Sequence, residues 1–193
     1  MAATKTPRSS AKDRILAAAS KLFYAEGIQH VGIDRIIAES GVAKMSLYNN
    51  FKSKDELIAA CLEKMAQDWN AFFSRRLQEL ATEPEEQLLA AFDILQEWSE
   101  KPSYRGCPFI NSSVELANPN HLGFQVAVRH KKATAELLVQ LATAAGLASP
   151  DGVAQELFIL IEGSLVVSMM QGNSQAIAQA KQAATVIIKA HQK

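Results

Sequence analysis

The chain has 193 residues, 48% hydrophobic and 21% charged, with equal numbers of acidic and basic side chains; this is the composition of a globular protein with a sizeable core, not of a disordered or low-complexity chain. Cys61 and Cys107 cannot build a disulfide framework, and the basic N-terminus leads into no apolar signal core. The most apolar run, Leu157 to Met170, is broken by Glu162, Gly163 and Ser164, so the expectation is a cytoplasmic protein without a membrane partner.

Charge is unevenly spread. Residues 1–54 hold nine of the 20 Lys and Arg against four of the 20 acids, and the remainder of the chain is correspondingly acidic. A basic head on an acidic body points to phosphate as the head's partner.

In chain order, residues 1–9 are small, polar and basic and are expected to form a disordered arm. Ser10 and Asp13 make a capping box for a first helix, with Ile15, Leu16, Ala19, Leu22 and Phe23 at helical spacing and Gly27 as a left-handed cap. Gly32 caps a second helix that ends at Ser40, Gly41 supplies a tight turn, and a third short helix reaches about Phe51. Ile33, Ile36 and Ile37 give the second helix an apolar face, and Val42, Leu47 and Phe51 do so for the third. On spacing alone this pair is either a helix-turn-helix or an ordinary helical hairpin. As a helix-turn-helix, its second helix would present Lys44, Met45, Ser46, Tyr48, Asn49 and Asn50 to a DNA major groove.

Ser53 and Glu56 cap a long fourth helix, from 54 to about 81. Thr82 and Pro84 begin a fifth that stops near Pro102. A loop rich in helix breakers (102–108) leads to a sixth at about 109–117, and a seventh spans about 121–145 with a basic middle. Ser149-Pro150 opens an eighth helix closed by Gly172, and Ser174 opens a ninth. No strand signal, repeat or low-complexity tract is visible, so the fold class is all-α. The eighth helix is apolar nearly all round, which calls for cover on more than one side. A two-fold four-helix bundle supplies it, with Leu157, Ile161, Leu165, Ile177, Ala184 and Ile188 as candidate dimerisation residues.

The run Ala38-Glu39-Ser40-Gly41-Val42-Ala43-Lys44-Met45-Ser46-Leu47-Tyr48-Asn49-Asn50-Phe51-Lys52-Ser53-Lys54 resembles the helix-turn-helix signature of the TetR family of bacterial transcriptional regulators. Ile15 to Phe23 and Gly27 resemble that family's first helix and its closing glycine. The resemblance implies a basic arm (1–9), a DNA-binding domain (10–53) and an effector-binding and dimerisation domain (54–193). It implies that a homodimer binds a palindromic double-stranded operator and is released by a small-molecule effector. By the same resemblance Lys44 opens the recognition helix, Tyr48 meets a phosphate, and Lys52 and Lys54 are phosphate clamps. Asn49 and Asn50 have the amide geometry for adenine or phosphate, and equally for capping the helix end. Two positions depart from the pattern. Val31 and Gly32 lack the hydroxyl that usually caps the second helix and meets a phosphate, and Met45 stands where Gly or Pro is common.

The resemblance also implies an effector pocket in the C-terminal bundle, with Trp98, Cys107, Phe109, Asn111, Phe124, Phe158, Glu162 and Met169 as candidate lining. Glu162 inside an apolar helix needs a cationic ligand or a polar partner such as Arg129 or Lys132. Arg105-Gly106-Cys107-Pro108-Phe109-Ile110-Asn111 resembles a helix start of one subset of the family. A thiol there, near Arg105 and a helix N-terminus, suits an electrophile- or redox-responsive regulator. No P-loop, dinucleotide fingerprint or metal-ligand spacing appears, so neither an enzyme nor a cofactor or metal is expected. A helical adaptor that binds only protein is the alternative of another class, and it would show no salt-dependent DNA binding.

Overall fold

Ser10 begins the ordered helices of the computed structural model, which describes residues 10–192. Its Oγ accepts the Asp13 N–H at 3.1 Å while the Asp13 carboxylate accepts from the Ser10 hydroxyl at 2.7 Å and from the Ser10 N–H at 3.2 Å, and the hydroxyl bond first, then the backbone one, holds the Asp13 carboxyl below its ordinary pKa. Helix α1 (Ala11–Glu26) follows, then α2 (Ile33–Ser40), α3 (Lys44–Asn50), α4 (Lys54–Leu80), α5 (Pro84–Ser99), α6 (Pro108–Leu116), α7 (Leu122–Ala144), α8 (Pro150–Gln171) and α9 (Gln175–Ala190). No strand occurs among the described residues, and the all-α expectation holds. Gly27 closes α1 with a positive φ of 90° but ψ of 149°, an extended conformation outside the left-handed helical well. Gly41 does enter that well (φ 62°, ψ 30°), which is what a tight turn between two short helices requires. The basic arm expected at residues 1–9 lies outside the described residues.

The chain forms two compact units: one holds the described part of Met1–Met65 together with Ser112–Val126, the other Ala66–Asn111 together with the described part of Ala127–Lys193. In the first, α1 packs on α2 and α3. Its buried side chains include Ile15, Leu22, Phe23, Ile36, Leu47, Phe51, Leu57 and Ile58. Helix α4 starts here, where Ser53 Oγ accepts the Glu56 N–H at 3.1 Å and Glu56 reaches back to the Lys52 N–H at 2.8 Å.

In the second unit α5, α8 and α9 pack on one another and bury Leu88, Phe92, Leu157, Ile177 and Ile188, all at most 1% exposed, while Ile94 clusters with Leu77 and Ala81 at the end of α4. All six residues predicted for dimerisation are buried in this single-chain core: Leu157, Ile161, Leu165, Ile177, Ala184 and Ile188. The apolar side chains that α8 and α9 leave exposed are instead Ile159, Val167, Met169, Met170 and Val186.

Helix α8 also corrects the expectation about membrane spans. Its 22 residues include a window of mean hydropathy 1.6, which is enough by length and composition to cross a membrane. The interruptions at Glu162, Gly163 and Ser164 do not lower it below that level. Its packing against α5 and α9 and the Glu162 ion pair described below are those of a core helix in a globular unit.

Candidate nucleic-acid interface and effector site

Helix α3 has one buried side chain, Leu47 at 0% exposure, which anchors it to the head. Around that anchor Lys44, Met45, Tyr48 and Asn49 are exposed, while Ser46 and Asn50 are half-buried. Met45, at 68%, is the most exposed large apolar residue of the head. The six residues expected to face DNA thus share the solvent side of one short helix.

They are not equivalent. The Asn50 side-chain amide donates to the Ser46 carbonyl at 2.7 Å, a bond along its own helix that uses part of its hydrogen-bonding capacity. No such bond ties Asn49. Lys44 stands 3.6 Å from the Asp34 carboxylate, with both side chains largely in water. Such a pair contributes little, so Lys44 can exchange its acid for a phosphate. Lys52 is exposed at the N-terminus of α4, where the helix dipole favours anions. Lys54 differs. Its ammonium donates to the Ile28 carbonyl at 2.7 Å and lies over the Phe23 ring. Burial holds its pKa below the ordinary lysine value, opposed by Asp55 and Glu115. It braces the turn between α1 and α2 with a donor that the phosphate-clamp expectation leaves free. Arg14 likewise reaches the Gly41 carbonyl at 3.4 Å. Neither Gly32 nor Ala43 caps its helix with a side chain, in keeping with the missing hydroxyl read from the sequence.

Of the residues predicted to line an effector pocket, Phe124 belongs to the first unit and the other seven to the second. In the second unit Glu162 pairs with Lys131 at 2.7 Å; the sequence reading named Arg129 and Lys132, the neighbours two before and one after the true partner. The same Lys131 ammonium is a donor 3.3 Å from the Cys107 sulfur. Cys107 is buried at 6% exposure. Phe109 stacks on His130 with ring centroids 3.8 Å apart. Burial, and then the Lys131 charge, push the His130 imidazole down to about 4, and its Nδ1 is buried without a hydrogen-bond partner. Asn111 donates to the Arg105 carbonyl at 2.8 Å, closing the loop that carries Cys107. Gly106 has φ 81°, a conformation that favours glycine, and a Cβ there would stand 2.5 Å from the sulfur of Met169 on α8. Trp98 meets Trp69 and Tyr104 at centroid distances of 4.9 and 5.0 Å, in a separate aromatic group. Phe158 is half-buried on α8. The Phe109–His130 and Glu162–Lys131 contacts were not among the expectations from the sequence, where His130 and Lys131 stand inside the basic run Arg129 to Lys132 and spacing singles out neither. No group of three or more His, Cys, Asp or Glu placed to hold a metal ion occurs among the described residues.

Comparison with known proteins adds to this geometry. Residues 15–61 match the family model of bacterial regulatory proteins of the tetR family, and residues 84–184 match that of the tetracyclin repressor-like C-terminal domain. The HTH-type transcriptional regulator YjdC of Escherichia coli (strain K12) is 24% identical over 165 residues, 86% of each chain. The HTH-type transcriptional activator FasR of Mycolicibacterium smegmatis is 30% identical over 130 residues, 67% of this chain and 56% of FasR. Among solved structures, SCO4454, a TetR-family transcriptional regulator from Streptomyces coelicolor, superposes with a TM-score of 0.88 at 25% identity, covering 95% of this chain and 96% of that one. Two family models together span the head and most of the remaining chain, and the chain belongs to the TetR family of DNA-binding bacterial transcription regulators.

Proposed function

We propose that this protein is a cytoplasmic homodimer that represses transcription from a palindromic operator and leaves it when a small molecule binds the C-terminal domain. In this reading residues 10–53 read DNA and 54–193 bind effector and partner copy. The observation that carries it is the solvent face of α3, where Lys44, Met45, Tyr48 and Asn49 stand clear around the buried Leu47. Lys44 and Lys52 take phosphates, Asn49 reads a base edge, Tyr48 and Ser46 offer hydroxyls, Met45 meets apolar groups in the groove, and Asn50 steadies the helix. Lys54 acts from behind, on the turn before α2. The partner copy covers Ile159, Val167, Met170 and Val186, with Gly163 between the first two. Gly163 is exposed on α8 with open space where a Cβ would be, which suits close helix approach. FasR is an activator by name, and the repressor assignment is the side of this proposal that a reporter assay decides.

The test is selection of bound fragments from genomic DNA, followed by gel-shift titration on the recovered sequence at fixed salt. Recovery of a two-fold sequence with half-sites about one DNA turn apart, bound by a dimer, is the expected result. Fragments without common sequence, or no salt-dependent binding, would remove the reading in favour of a protein-binding adaptor.

The Lys131–Cys107 contact favours a second reading, in which an electrophile or oxidant acts on Cys107. Treatment with an electrophile should then weaken operator binding by the parent and not by Cys107→Ser. Equal responses would remove this version.

A further inference from the structure

The α6–α7 corner lies about sixty residues past the recognition helix, yet its segment Ser112–Val126 belongs to the same compact unit as the DNA head. Three contacts fasten it there. The Glu115 carboxylate accepts the main-chain N–H of Gln29 at 3.1 Å, and the Gln29 side-chain amide returns a bond to the Glu115 carbonyl at 3.3 Å. His121 Nε2 meets the Asp55 carboxylate at 3.2 Å, while His121 Nδ1 accepts the Gly123 N–H at 3.0 Å. Gly123 packs so tightly that a Cβ there would stand 2.8 Å from Ile58 and 3.0 Å from Leu116.

The first contact falls on a particular piece of backbone. Residues 27–30 turn the chain from α1 into α2, and Gly27 at their start has φ 90°. A Cβ on it would lie 3.2 Å from Glu115 Oε2, so the carboxylate is seated directly on the turn. From the other side Lys54, at the first turn of α4, holds the Ile28 carbonyl. The turn that sets the direction of α2, and through Gly41 that of α3, is therefore clasped between Glu115 and Lys54, a carboxylate taking its N–H and an ammonium its C=O. The buried side chains of Ile28 and Val31 anchor the two ends of this turn in the core, and the clasp holds the peptide group that joins Ile28 to Gln29.

We propose that Glu115 is a positioning residue for operator recognition: it touches no DNA, and by holding the 27–30 turn it fixes the direction in which each copy's recognition helix points. This rests on the dimeric, palindrome-binding reading above. A dimer whose heads are held discriminates between half-site spacings, and one whose heads swing does not. Reach, not charge, is what the contact needs. Glutamine keeps an acceptor oxygen at the same distance, and aspartate keeps the charge but falls short by one methylene.

The experiment measures affinity of the full chain for the selected palindrome, for the same palindrome with its half-sites moved apart by one base pair, and for an isolated half-site. Glu115→Ala and Glu115→Asp should lose about tenfold of the parent's preference for native spacing, the scale of one hydrogen bond. Affinity for the half-site should be unchanged, and Glu115→Gln should keep the preference. Unaltered discrimination in the Asp variant would overturn the assignment, and so would an equal loss on half-site and palindrome, which marks a general folding role. If Glu115→Ala fails to fold, the Asp and Gln variants decide alone. A parent that binds no DNA would instead overturn the operator reading, and this proposal with it.

Discussion

His130 offers a test of the second unit that does not depend on any ligand. Its imidazole stacks on Phe109, is buried beside Lys131, and has its pKa lowered from 6.5 to about 4. The sign follows from where the proton goes. Between pH 6.5 and 4 the unfolded chain takes up a proton at this site and the folded chain does not, so stability falls as pH falls through that window. Lowering pH from 7.5 to 5 costs about 2 kcal/mol from this residue alone, since 1.5 pH units of the window are crossed at 1.36 kcal/mol each. His130→Phe keeps a ring against Phe109, removes the titration and also removes the Nδ1 that has no partner. Urea unfolding at both pH values should show the parent losing about 2 kcal/mol more than the variant on acidification. Carboxylates held low by their partners, such as Glu97 beside Arg76 and Glu39 beside Lys21, contribute equally to both proteins and cancel. Equal losses in parent and variant would refute the claim that His130 is kept neutral by burial.

Three further outcomes concern the DNA head and the partner face. Lys44→Ala should weaken operator binding and reduce the slope of log affinity against log salt by about one, leaving the dimer intact; an unchanged slope in a salt-titrated gel shift would exclude a phosphate contact. Asn49→Ala should relax discrimination at one operator position by about 1–3 kcal/mol, while Asn50→Ala should weaken all sequences alike, and a reversed pattern across single-base operator variants would show that Asn50 is the reader. Ile159→Glu, placing a charge on the exposed stripe of α8, should shift the protein to monomer in sedimentation analysis without lowering its helicity, whereas a persistent dimer would move the interface elsewhere.

Legibility in the sequence followed the range of the interactions. The ends of α1 and α8 could be read because Ser10, Asp13 and Gly172 act within one turn, and the solvent face of α3 could be read because Leu47 is its one buried side chain. The stripe of α8 that its own chain buries could not. Leu157, Ile161 and Leu165 are more apolar than Ile159, Gly163 and Val167, yet a helix apolar all round has no periodicity that says which stripe its own chain will bury. The partner of Glu162 failed similarly, because neighbouring positions on α7 differ by a rotation of about 100° that spacing alone does not orient. The Glu115–Gln29 clasp joins residues 86 apart, and no local pattern announces it. Asn50 was ambiguous because its bond to Ser46 competes with any contact it makes outward.

Helix α3 has seven residues and no side-chain cap at its N-terminus, and its C-terminal neighbour Phe51 is extended. Alone it would be far below the length at which helices persist in water, so its order is borrowed from Leu47 and from the frame of α1 and α2. Its first-turn amides should exchange with solvent sooner than those of α1, whose start is closed by Ser10 and Asp13. The scaffold is thus stiffer than the edge it presents. In the operator reading proposed above, a search along DNA would proceed with this surface still adjusting, and full ordering of the helix would be deferred to the sites where its side chains find partners.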